Sequence, residues 1–539
     1  MKTARKIRIT KQKQVESSML ERDKIHFFDT DGLSETSGFD SRATEQYIRS
    51  GLKRLFPGEV FSSVKVAVNA SGCFQEKSSF FDRIWGKGKK ITGLPKYAEV
   101  VVRHSTGQYE EELTVWSPAA WNGRFAGTCG GGTGIGGRGY LTVPDNTQRG
   151  WTVPFALING FSAATMYAGN IDGFHDLTID PDTGELRREL YENWRLRSTH
   201  NMTLFGKAVT ELLHDRKIEY SYLNGGSGGG RQSLMEAQND PEDYDGVWAS
   251  CPAINWHPFI TAGFWAEAVM NEEKHFLSAA KNQHFVDAAH EAAGGSAEFY
   301  HLNWIPDFDA ESCIGDRVKG GVITKKDARV MNEIWHGPHR ENGERLWSGF
   351  PPGVKNWQRI IPIGTYYYPL SLQKKVKPFI LGIYHARWIT GNPKERFDDI
   401  NVRYLEELFD RGSEKFRDCF GDDPDLTAFA AHGGKLMIDH GLDDPLIPAG
   451  GTIDYYNKVV SFLGQEKANS FIRLYVTPGD SHGNCRGNGP GITECDGMKA
   501  LMDWVEKGTA PEAIRKVRVD PKTGETLETG TQMPYRPAR

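Results

Sequence analysis

A short segment, 225–229 (GGSGG), constrains the fold of this chain more than any other part of the sequence. It matches the pattern G-x-S-x-G. The run before it, 218–223 (IEYSYL), is aromatic and β-branched and predicts a strand, whereas the run after it, 231–238 (RQSLMEAQ), consists mostly of good helix formers. A serine between a strand and a helix, with glycines on both sides, indicates a sharp turn that projects the Ser227 hydroxyl above a sheet.

Two other interpretations of residues 225–229 are weaker. A flexible Gly/Ser linker would not stand directly between an aromatic strand and a strong helix. A phosphate-binding loop would continue with Gly-Lys-Ser or Gly-Lys-Thr, and this chain continues with Gly-Arg-Gln. The sequence therefore favours a nucleophilic serine at position 227.

Strands that alternate with helices indicate an α/β fold with a mostly parallel sheet. The alternation of apolar and polar residues, or a short apolar run, predicts strands at 97–102, 112–116, 155–164, 218–223, 434–439 and 471–476. Apolar residues at helical spacing predict helices at 200–213, 231–238, 451–462 and 495–506.

The character of the chain changes between residues 253 and 420. This part is rich in Trp, His, Asn and Pro, shows helical pieces at 263–270 and 327–334, and has little strand alternation. The predicted organisation is a poorly ordered N-terminal lead at 1–45, a catalytic domain at 46–252 plus 421–539, and an inserted cap at 253–420.

Composition excludes several classes of function. The net charge is −5, without the basic excess of a nucleic-acid binder. No run of apolar residues is long enough to cross a membrane, and the charged N-terminus lacks the apolar core of a signal peptide, so we expect a cytoplasmic protein. The 7 cysteines are odd in number and widely spread, which fits a reducing compartment, although a bond between Cys485 and Cys495 stays open.

A nucleophilic serine needs a histidine base, and that base needs a carboxylate to orient it. In folds with this strand-to-helix turn, the acid and then the base follow the serine along the chain. Asp444 and His482 follow the strands predicted at 434–439 and 471–476, where the carboxyl ends of parallel strands meet. Neighbours of the same type remain rival candidates: Asp439 and Asp443 for the acid, His432 and His440 for the base.

Acyl transfer also needs backbone N–H groups that bind a developing oxyanion. One predicted donor is Gly228, directly after the serine, and the other is Gly131 or Gly132 in the glycine-rich stretch 129–133 (CGGGT). That stretch also begins a G-x-G-x-x-G match, but no helix is predicted after it, which argues against a dinucleotide site. A mobile surface loop remains the competing interpretation of these glycines.

Taken in order, these blocks resemble the tannase and feruloyl esterase family. The blocks are 121–125 (WNGRF), the glycine cluster, 225–247, 423–456 and 478–491, and the resemblance is weak in the first 90 residues. It implies an α/β-hydrolase core with a large cap inserted between nucleophile and acid. It also implies hydrolysis of carboxylic esters, often of phenolic acids, by a triad at Ser227, Asp444 and His482.

Three features depart from the family pattern. The family usually has a disulfide between the residue before the nucleophile and the residue after the histidine, and here these are Gly226 and Gly483. The family's cap often has an aspartate-rich calcium loop. Calcium binds about six to eight oxygen ligands, and the corresponding segment here, 312–324 (SCIGDRVKGGVIT), lacks the run of carboxylates that would supply them. Most members are secreted, and this chain shows no signal. Because 312–324 lacks calcium ligands, we expect no bound metal, and we expect no cofactor either.

The expected function is cleavage of a small-molecule carboxylic ester, with an aromatic or phenolic acid as one candidate acyl group, through an acyl-enzyme. Acyl transfer or lactone opening at the same triad, and a non-catalytic binding protein on a hydrolase fold, remain open. A metal-dependent hydrolase is disfavoured, since no HExxH motif is present. We expect no nucleic-acid or membrane partner, and the sequence leaves the oligomeric state open.

Aromatic residues of the predicted cap are the candidates for substrate contacts. Each of them is at least as well explained as part of the cap's own core. The candidates are Trp256, Phe264, Trp265 and Trp304.

Overall fold

The computed structural model describes residues 26–75, 90–132, 152–169, 178–292, 308–319, 321–354, 380–483, 489–520 and 525–537. Its centre is a nine-stranded sheet. In chain order the strands are β1 (Val60–Asn69), β2 (Tyr97–Ser105), β3 (Glu110–Pro118), β4 (Arg124–Thr128), β5 (Ser162–Tyr167), β6 (Tyr220–Gly226), β7 (Gly246–Ser250), β8 (Lys435–Gly441) and β9 (Ile472–Thr477).

The order of strands across the sheet is β1-β2-β3-β5-β4-β6-β7-β8-β9. Neighbours are antiparallel from β1 to β5 and parallel from β5 to β9. The parallel part brings the carboxyl ends of β4 and β6–β9 to one edge of the sheet, which is where open α/β sheets build their sites. The prediction of an α/β fold with a mostly parallel sheet is confirmed.

Helices cover the sheet and fill the connections between strands. They are α1 (Phe39–Arg42), α2 (Glu45–Leu55), α3 (Val153–Ile158), α4 (Arg188–Glu192), α5 (Ser198–His214), α6 (Gly228–Asn239), α7 (Trp256–Ala262), α8 (Trp265–Glu272), α9 (Ala279–Ala292), α10 (Lys325–His336), α11 (Ile380–Thr390), α12 (Val402–Lys415), α13 (Thr427–His432), α14 (Gly450–Leu463), α15 (Gln465–Phe471) and α16 (Glu494–Lys507). Within the described ranges, none of them has the length and apolar character that crossing a membrane requires.

The burial of a strand follows its place in the sheet. Every residue of β9 is buried, and β8 is buried from its second residue on, because helices cover both faces of the parallel region. The edge strand β1 instead mixes buried and exposed positions along its length. Helix α5 approaches the sheet closely at Gly206, where an added Cβ would lie 2.8 Å from the Phe125 ring, so glycine is required there.

Helices α7–α12 lie between β7 and β8 along the chain. In the described part of this region the only strands are the pair Arg317–Val318 and Gly321–Val322, outside the central sheet. Its buried residues join those of the sheet domain in one apolar cluster, with aromatic contacts between the two such as Trp194–Trp256. We call residues 253–420 the cap, and their division from the catalytic domain stays a proposal.

One local prediction differs from the structure. The sequence predicts one strand at 155–164, whereas these residues form the end of α3 followed by the start of β5. Pro154 at the first turn favours a helix, and burial of every residue of α3 except Phe155 removes the periodicity that would have revealed it. The described part of the predicted N-terminal lead packs on the domain: the Phe27 N–H donates to Asn159 Oδ1 at 2.9 Å, and Phe39 is buried.

Candidate active site

Ser227 lies at the turn between β6 and α6 with a strained backbone. Its φ is 59° and its ψ is −121°, a conformation that costs about 1–3 kcal/mol for a residue with a side chain. Neighbouring backbone holds the turn in place: the Ser227 N–H donates to Ser250 at 3.0 Å, and the Ser227 carbonyl accepts from Ala253 at 2.9 Å. The predicted strand–serine–helix arrangement is thus present, with the side chain at the carboxyl end of β6.

The glycines around Ser227 are required by close backbone contacts. A Cβ at Gly228 would lie 2.2 Å from the Gly132 carbonyl oxygen, and one at Gly229 would lie 2.4 Å from the Gly130 carbonyl oxygen. These distances bring the glycine-rich stretch against the first turn of α6. Both predicted sources of oxyanion donors therefore lie beside Ser227, although residues 133–151 are outside the described residues.

A buried arginine fixes the start of α6. The Arg231 guanidinium donates to the carbonyls of Trp194 and Arg195 at 3.1 and 3.2 Å, and it lies 4.1 Å from the Trp194 ring centroid. Arg231 is only 1 % exposed, so these carbonyls and the aromatic face, rather than water, stabilise its positive charge. The helix that follows the serine is thus held by side-chain as well as backbone contacts.

Asp444 and His482 are directly hydrogen-bonded. The His482 Nδ1–H donates to Asp444 Oδ2 at 2.6 Å, and both side chains are buried. The other carboxylate oxygen, Oδ1, accepts from the N–H groups of Leu446 and Ile447 at 2.8 and 2.9 Å. The loop after β8 therefore orients the carboxylate, and the carboxylate orients the imidazole on the loop after β9.

His440, a rival candidate for the base, contacts Asp444 instead. Its Nε2 lies 3.2 Å from Asp444 Oδ2 and 2.9 Å from the Ile447 carbonyl, and its Nδ1 lies 2.9 Å from Thr452 Oγ1. His440 is fully buried and supports the loop after β8, residues 442–449, which we call the acid loop. Its spacing of four residues from Asp444, at the end of a strand, was the signal that could have indicated this role.

Asp439, Asp443 and His432 lie in surroundings that differ from those of the Asp444–His482 pair. Asp439 Oδ1 accepts from Trp248 Nε1 at 2.7 Å inside the sheet, which is a structural contact. Asp443 uses its N–H to bond the Asp480 carbonyl at 2.9 Å and so joins the two loops. His432 is exposed at the end of α13.

Charge and burial shift the ionisation of the pair. Burial alone raises the pKa of Asp444, but the neighbouring imidazoles and their hydrogen bonds lower it by more than burial raises it. The net shift is downward, so the carboxyl stays ionised. Burial alone lowers the pKa of His482, but the Asp444 carboxylate raises it, and the net shift is upward. Within the described residues, His482 Nε2 is buried without a hydrogen-bond partner, which leaves its lone pair available for a proton.

Comparison with known proteins identifies the family. The family model described as tannase and feruloyl esterase matches residues 100–538. The chain belongs to the tannase and feruloyl esterase family. It is therefore a carboxylic ester hydrolase, and the resemblance inferred from the motifs is confirmed.

Individual relatives agree with this placement. The chain is 32% identical over 454 residues to a probable feruloyl esterase from Arthroderma benhamiae, with 77% of each chain covered. It is 26% identical over 493 residues to the mono(2-hydroxyethyl) terephthalate hydrolase of Piscinibacter sakaiensis, with 78% of each covered. The fold is similar to that of the tannin acyl hydrolase from Aspergillus niger, with a TM-score of 0.74, 20% identity and 93% of each chain covered.

In this family member, the predicted aromatic contacts separate into different environments. Trp265 lines a small apolar cavity together with Leu446 and Pro448 of the acid loop. Trp256 instead packs edge-on against Trp194, and Phe264 is fully buried against Phe397. Trp304 lies outside the described residues. Among the predicted contacts that are described, only Trp265 lines this cavity.

A larger cavity of about 510 Å³ lies next to the small one. Its wall combines Pro448 of the acid loop and Gly450 at the start of α14 with Trp335, His336 and Arg345 of the cap. Both cavities share Ser348, Gly349 and Phe350. The space between the acid loop and the cap thus has an apolar part and a polar part, which the sequence did not reveal because its walls come from distant segments.

One residue near the pair was not singled out from the sequence. Cys251 directly follows β7 and is fully buried. Its thiol lies within 4.8 Å of a His482 ring nitrogen and of an Asp444 carboxylate oxygen. No local pattern marks a lone cysteine in this role, because its neighbours come from two loops about two hundred residues away.

Proposed function

We propose that this chain is a serine esterase that works through an acyl-enzyme, with Ser227 as nucleophile, His482 as base and Asp444 as the orienting acid. The observation that carries the proposal is the state of the two ring nitrogens of His482. Nδ1 is bonded to Asp444 at 2.6 Å, whereas Nε2 has no hydrogen-bond partner among the described residues. The histidine lies at the sheet edge where Ser227 projects. The strained backbone of Ser227 supports the proposal, since strain at a turn persists where function needs it.

The first half of the reaction forms the acyl-enzyme. Nε2 of His482 takes the Ser227 hydroxyl proton as Oγ attacks the ester carbonyl, and the resulting imidazolium is stabilised by the Asp444 carboxylate. When the tetrahedral intermediate collapses, the same proton passes to the leaving alkoxide, and an alcohol departs. Water then attacks the acyl group with His482 again as base, which releases the carboxylic acid and restores Ser227.

The oxyanion of both intermediates needs donors in place before reaction. We assign these to the N–H of Gly228 and to Gly131 or Gly132, which lie against each other without room for side chains. The N-terminus of α6 also points at the reacting centre, and its partial positive charge stabilises the negative oxygen.

The acyl group that fits best is aromatic. The cavity of about 510 Å³ beside the acid loop has Phe308, Trp335 and Phe350 in its wall, so a flat ring can be buried there. The names of relatives, which include a feruloyl esterase and a terephthalate hydrolase, support the same class of substrate. Esters of phenolic or other aromatic acids are therefore the substrates we propose.

A panel of esters tests the proposal. We expect methyl ferulate, methyl gallate or nitrophenyl acetate to be hydrolysed by the protein and not by Ser227→Ala, with a fluorophosphonate labelling only the protein that keeps Ser227. Ser233→Ala is the matched control, because Ser233 is a buried hydroxyl on α6 that bonds the Gly229 carbonyl. Hydrolysis that survives in Ser227→Ala would refute the proposal, and turnover of a lactone alone would redirect it to ring opening.

A further inference from the structure

The thiol of Cys251 is not used by the proposed reaction, yet the chain holds it beside the base. Cys251 has a φ of 33°, a left-handed conformation that a residue with a side chain rarely adopts. Its N–H donates to the Asp439 carbonyl at 2.6 Å, which fixes the backbone between β7 and β8. The position of the thiol is thus set by the same strand ends that position Ser227 and Asp444.

Three side chains with different ligand atoms meet at this point. The Cys251 sulfur, a His482 ring nitrogen and an Asp444 carboxylate oxygen all lie within 4.8 Å of one another. All three residues are buried, with exposed fractions of 0%, 9% and 1%. Their separation in sequence means that the fold, and not a local loop, brings them together.

Thiolate, imidazole and carboxylate are the ligand types that zinc binds in proteins. Tetrahedral zinc with bonds of about 2.0–2.3 Å places its ligand atoms about 3.3–3.8 Å apart, so small side-chain movements would close this cluster around an ion. A soft sulfur ligand favours zinc and related transition ions over calcium or magnesium, which take oxygen ligands.

We propose that Cys251, His482 and Asp444 form a binding site for zinc or a similar thiophilic divalent ion, and that the bound ion inhibits the esterase. On binding, the Cys251 thiol loses its proton to solvent and the sulfur takes the metal. Whichever ring nitrogen of His482 the ion occupies, the imidazole loses either its free lone pair or its hydrogen bond to Asp444. The inhibition, unlike the metal binding, rests on the proposed function.

A second cluster of metal-binding residue types provides the control. His284, Cys313 and Asp316 of the cap also lie within 4.8 Å of one another, but His284 and Asp316 are partly or fully exposed and already form an ion pair at 2.8 Å. Cys313 is buried like Cys251. Cys313→Ala therefore removes a buried thiol and a competing metal site without touching the active site.

Cobalt binding tests the site without relying on activity. Titration of the full chain with Co²⁺ should produce the near-ultraviolet absorption of a cobalt–thiolate bond, and Cys313→Ala should keep it. Cys251→Ala and Cys251→Ser should both lose it. Absence of the band from the unmodified protein, or a band that survives in Cys251→Ala and vanishes in Cys313→Ala, would overturn the proposal.

X-ray absorption at the zinc edge keeps the test valid should the Cys251 variants fail to fold. The Cys313→Ala protein loaded with one equivalent of Zn²⁺ should show one sulfur ligand and at least one imidazole. A first shell of oxygen and nitrogen alone would overturn the proposal.

Inhibition tests the regulatory part. With each rate compared with the same protein free of metal, the Zn²⁺ concentration for half-inhibition of ester hydrolysis should rise about tenfold or more in Cys251→Ala, the cost of losing one ligand worth at least 1.4 kcal/mol. Equal inhibition of both proteins would overturn it. A cobalt–thiolate band in a protein that hydrolyses no ester would leave the metal site standing and refute the proposed function instead.

Discussion

The sheet edge around Ser227 and the cap are held by different kinds of contact. At the sheet edge, short backbone hydrogen bonds join one strand end to the next, as from Cys251 to Asp439 at 2.6 Å and from Asp443 to Asp480 at 2.9 Å. The cap depends on aromatic packing and on buried polar side chains. Among its described residues, both carboxyl oxygens of Glu267 are buried without a hydrogen-bond partner, and burial raises the pKa of this group well above its ordinary value.

This difference indicates a division of labour. Backbone hydrogen bonds between adjacent strands leave little freedom, so the reacting atoms keep their geometry. Side-chain packing between helices can adjust to substitutions of similar volume, so the cap can vary its cavities while the sheet edge stays constant. Changes at the sheet edge should therefore affect the rate of the chemical step, and changes in the cap should affect substrate preference and stability.

The largest effect is expected from Ser227→Ala. Loss of the nucleophile should lower kcat by about 10⁶-fold, as the loss of a triad member does when its partners cannot substitute. Stopped assays with methyl ferulate measure it, and Ser233→Ala should stay within a few-fold of the unmodified protein. A smaller loss of kcat in Ser227→Ala than in a variant of the cap would contradict the proposed division between sheet edge and cap.

Asp444→Asn should lower kcat by about 10⁴-fold, because the amide no longer stabilises the imidazolium or selects its tautomer. The pH profile adds an independent readout. His482 must be neutral to act as base, so kcat/KM should fall as pH falls through a pKa above the ordinary 6.5. The variant should move this midpoint downward, and an unchanged midpoint would mean that Asp444 does not set the pKa of His482.

Gly228→Ala should lower kcat by about 10²–10³-fold, since the added methyl group would push the first turn of α6 away from the Gly132 carbonyl and displace the oxyanion donors. Fluorophosphonate labelling and circular dichroism separate a displaced turn from an unfolded chain. Gly58→Ala is the control, because a Cβ there meets nothing within 4 Å. Equal kcat values for Gly228→Ala and Gly58→Ala would show that Gly228 does not contribute to the proposed site.

Acid should weaken the cap before the sheet edge. His257 Nδ1 lies 3.0 Å from His385 Nε2, and burial lowers the pKa of His257 to about 4 and that of His385 well below its ordinary value. Both are neutral in the folded state, whereas the unfolded chain takes up protons below about pH 6.5. The free energy of unfolding should therefore fall as pH drops from about 6.5 to about 4, by about 3 kcal/mol from His257 alone, and His385 should add to this loss.

Denaturant unfolding at several pH values measures this loss. His385→Phe should flatten the pH dependence, whatever its effect on stability at neutral pH. His432→Gln, at an exposed position, should leave the slope unchanged. A slope that persists in His385→Phe would assign the acid sensitivity to groups outside this pair.

The smallest effect is expected from Trp265→Phe, which would enlarge the small apolar cavity next to the one of about 510 Å³. The ratio of kcat/KM for methyl ferulate to that for nitrophenyl acetate should change about tenfold, the typical size of a changed apolar contact in a pocket. Phe264→Leu is the matched control, because Phe264 is buried against Phe397 and does not line this cavity. Phe264→Leu should lower the free energy of unfolding and leave the ratio of kcat/KM values unchanged. A ratio that changes in Phe264→Leu and not in Trp265→Phe would assign the substrate contact to Phe264 instead.

The sequence by itself determined the strand–serine–helix turn, the two strands that precede Asp444 and His482, and the candidate residues at the ends of these strands. Ser227, Asp444 and His482 could be chosen as candidates because each follows a strand with a clear local pattern, and their catalytic roles stay a prediction. The helix at 153–158 could not be predicted, because a short helix that is buried almost throughout shows no periodicity to distinguish it from a strand.

Only the tertiary structure decided which side chains meet. Cys251 approaches His482, and Trp265 rather than Phe264 lines a cavity with Leu446 and Pro448. The physical reason is the range of the interactions involved. Hydrophobic periodicity and turn chemistry act between neighbours in sequence, whereas these contacts depend on the register of parallel strands and on helix packing between segments hundreds of residues apart.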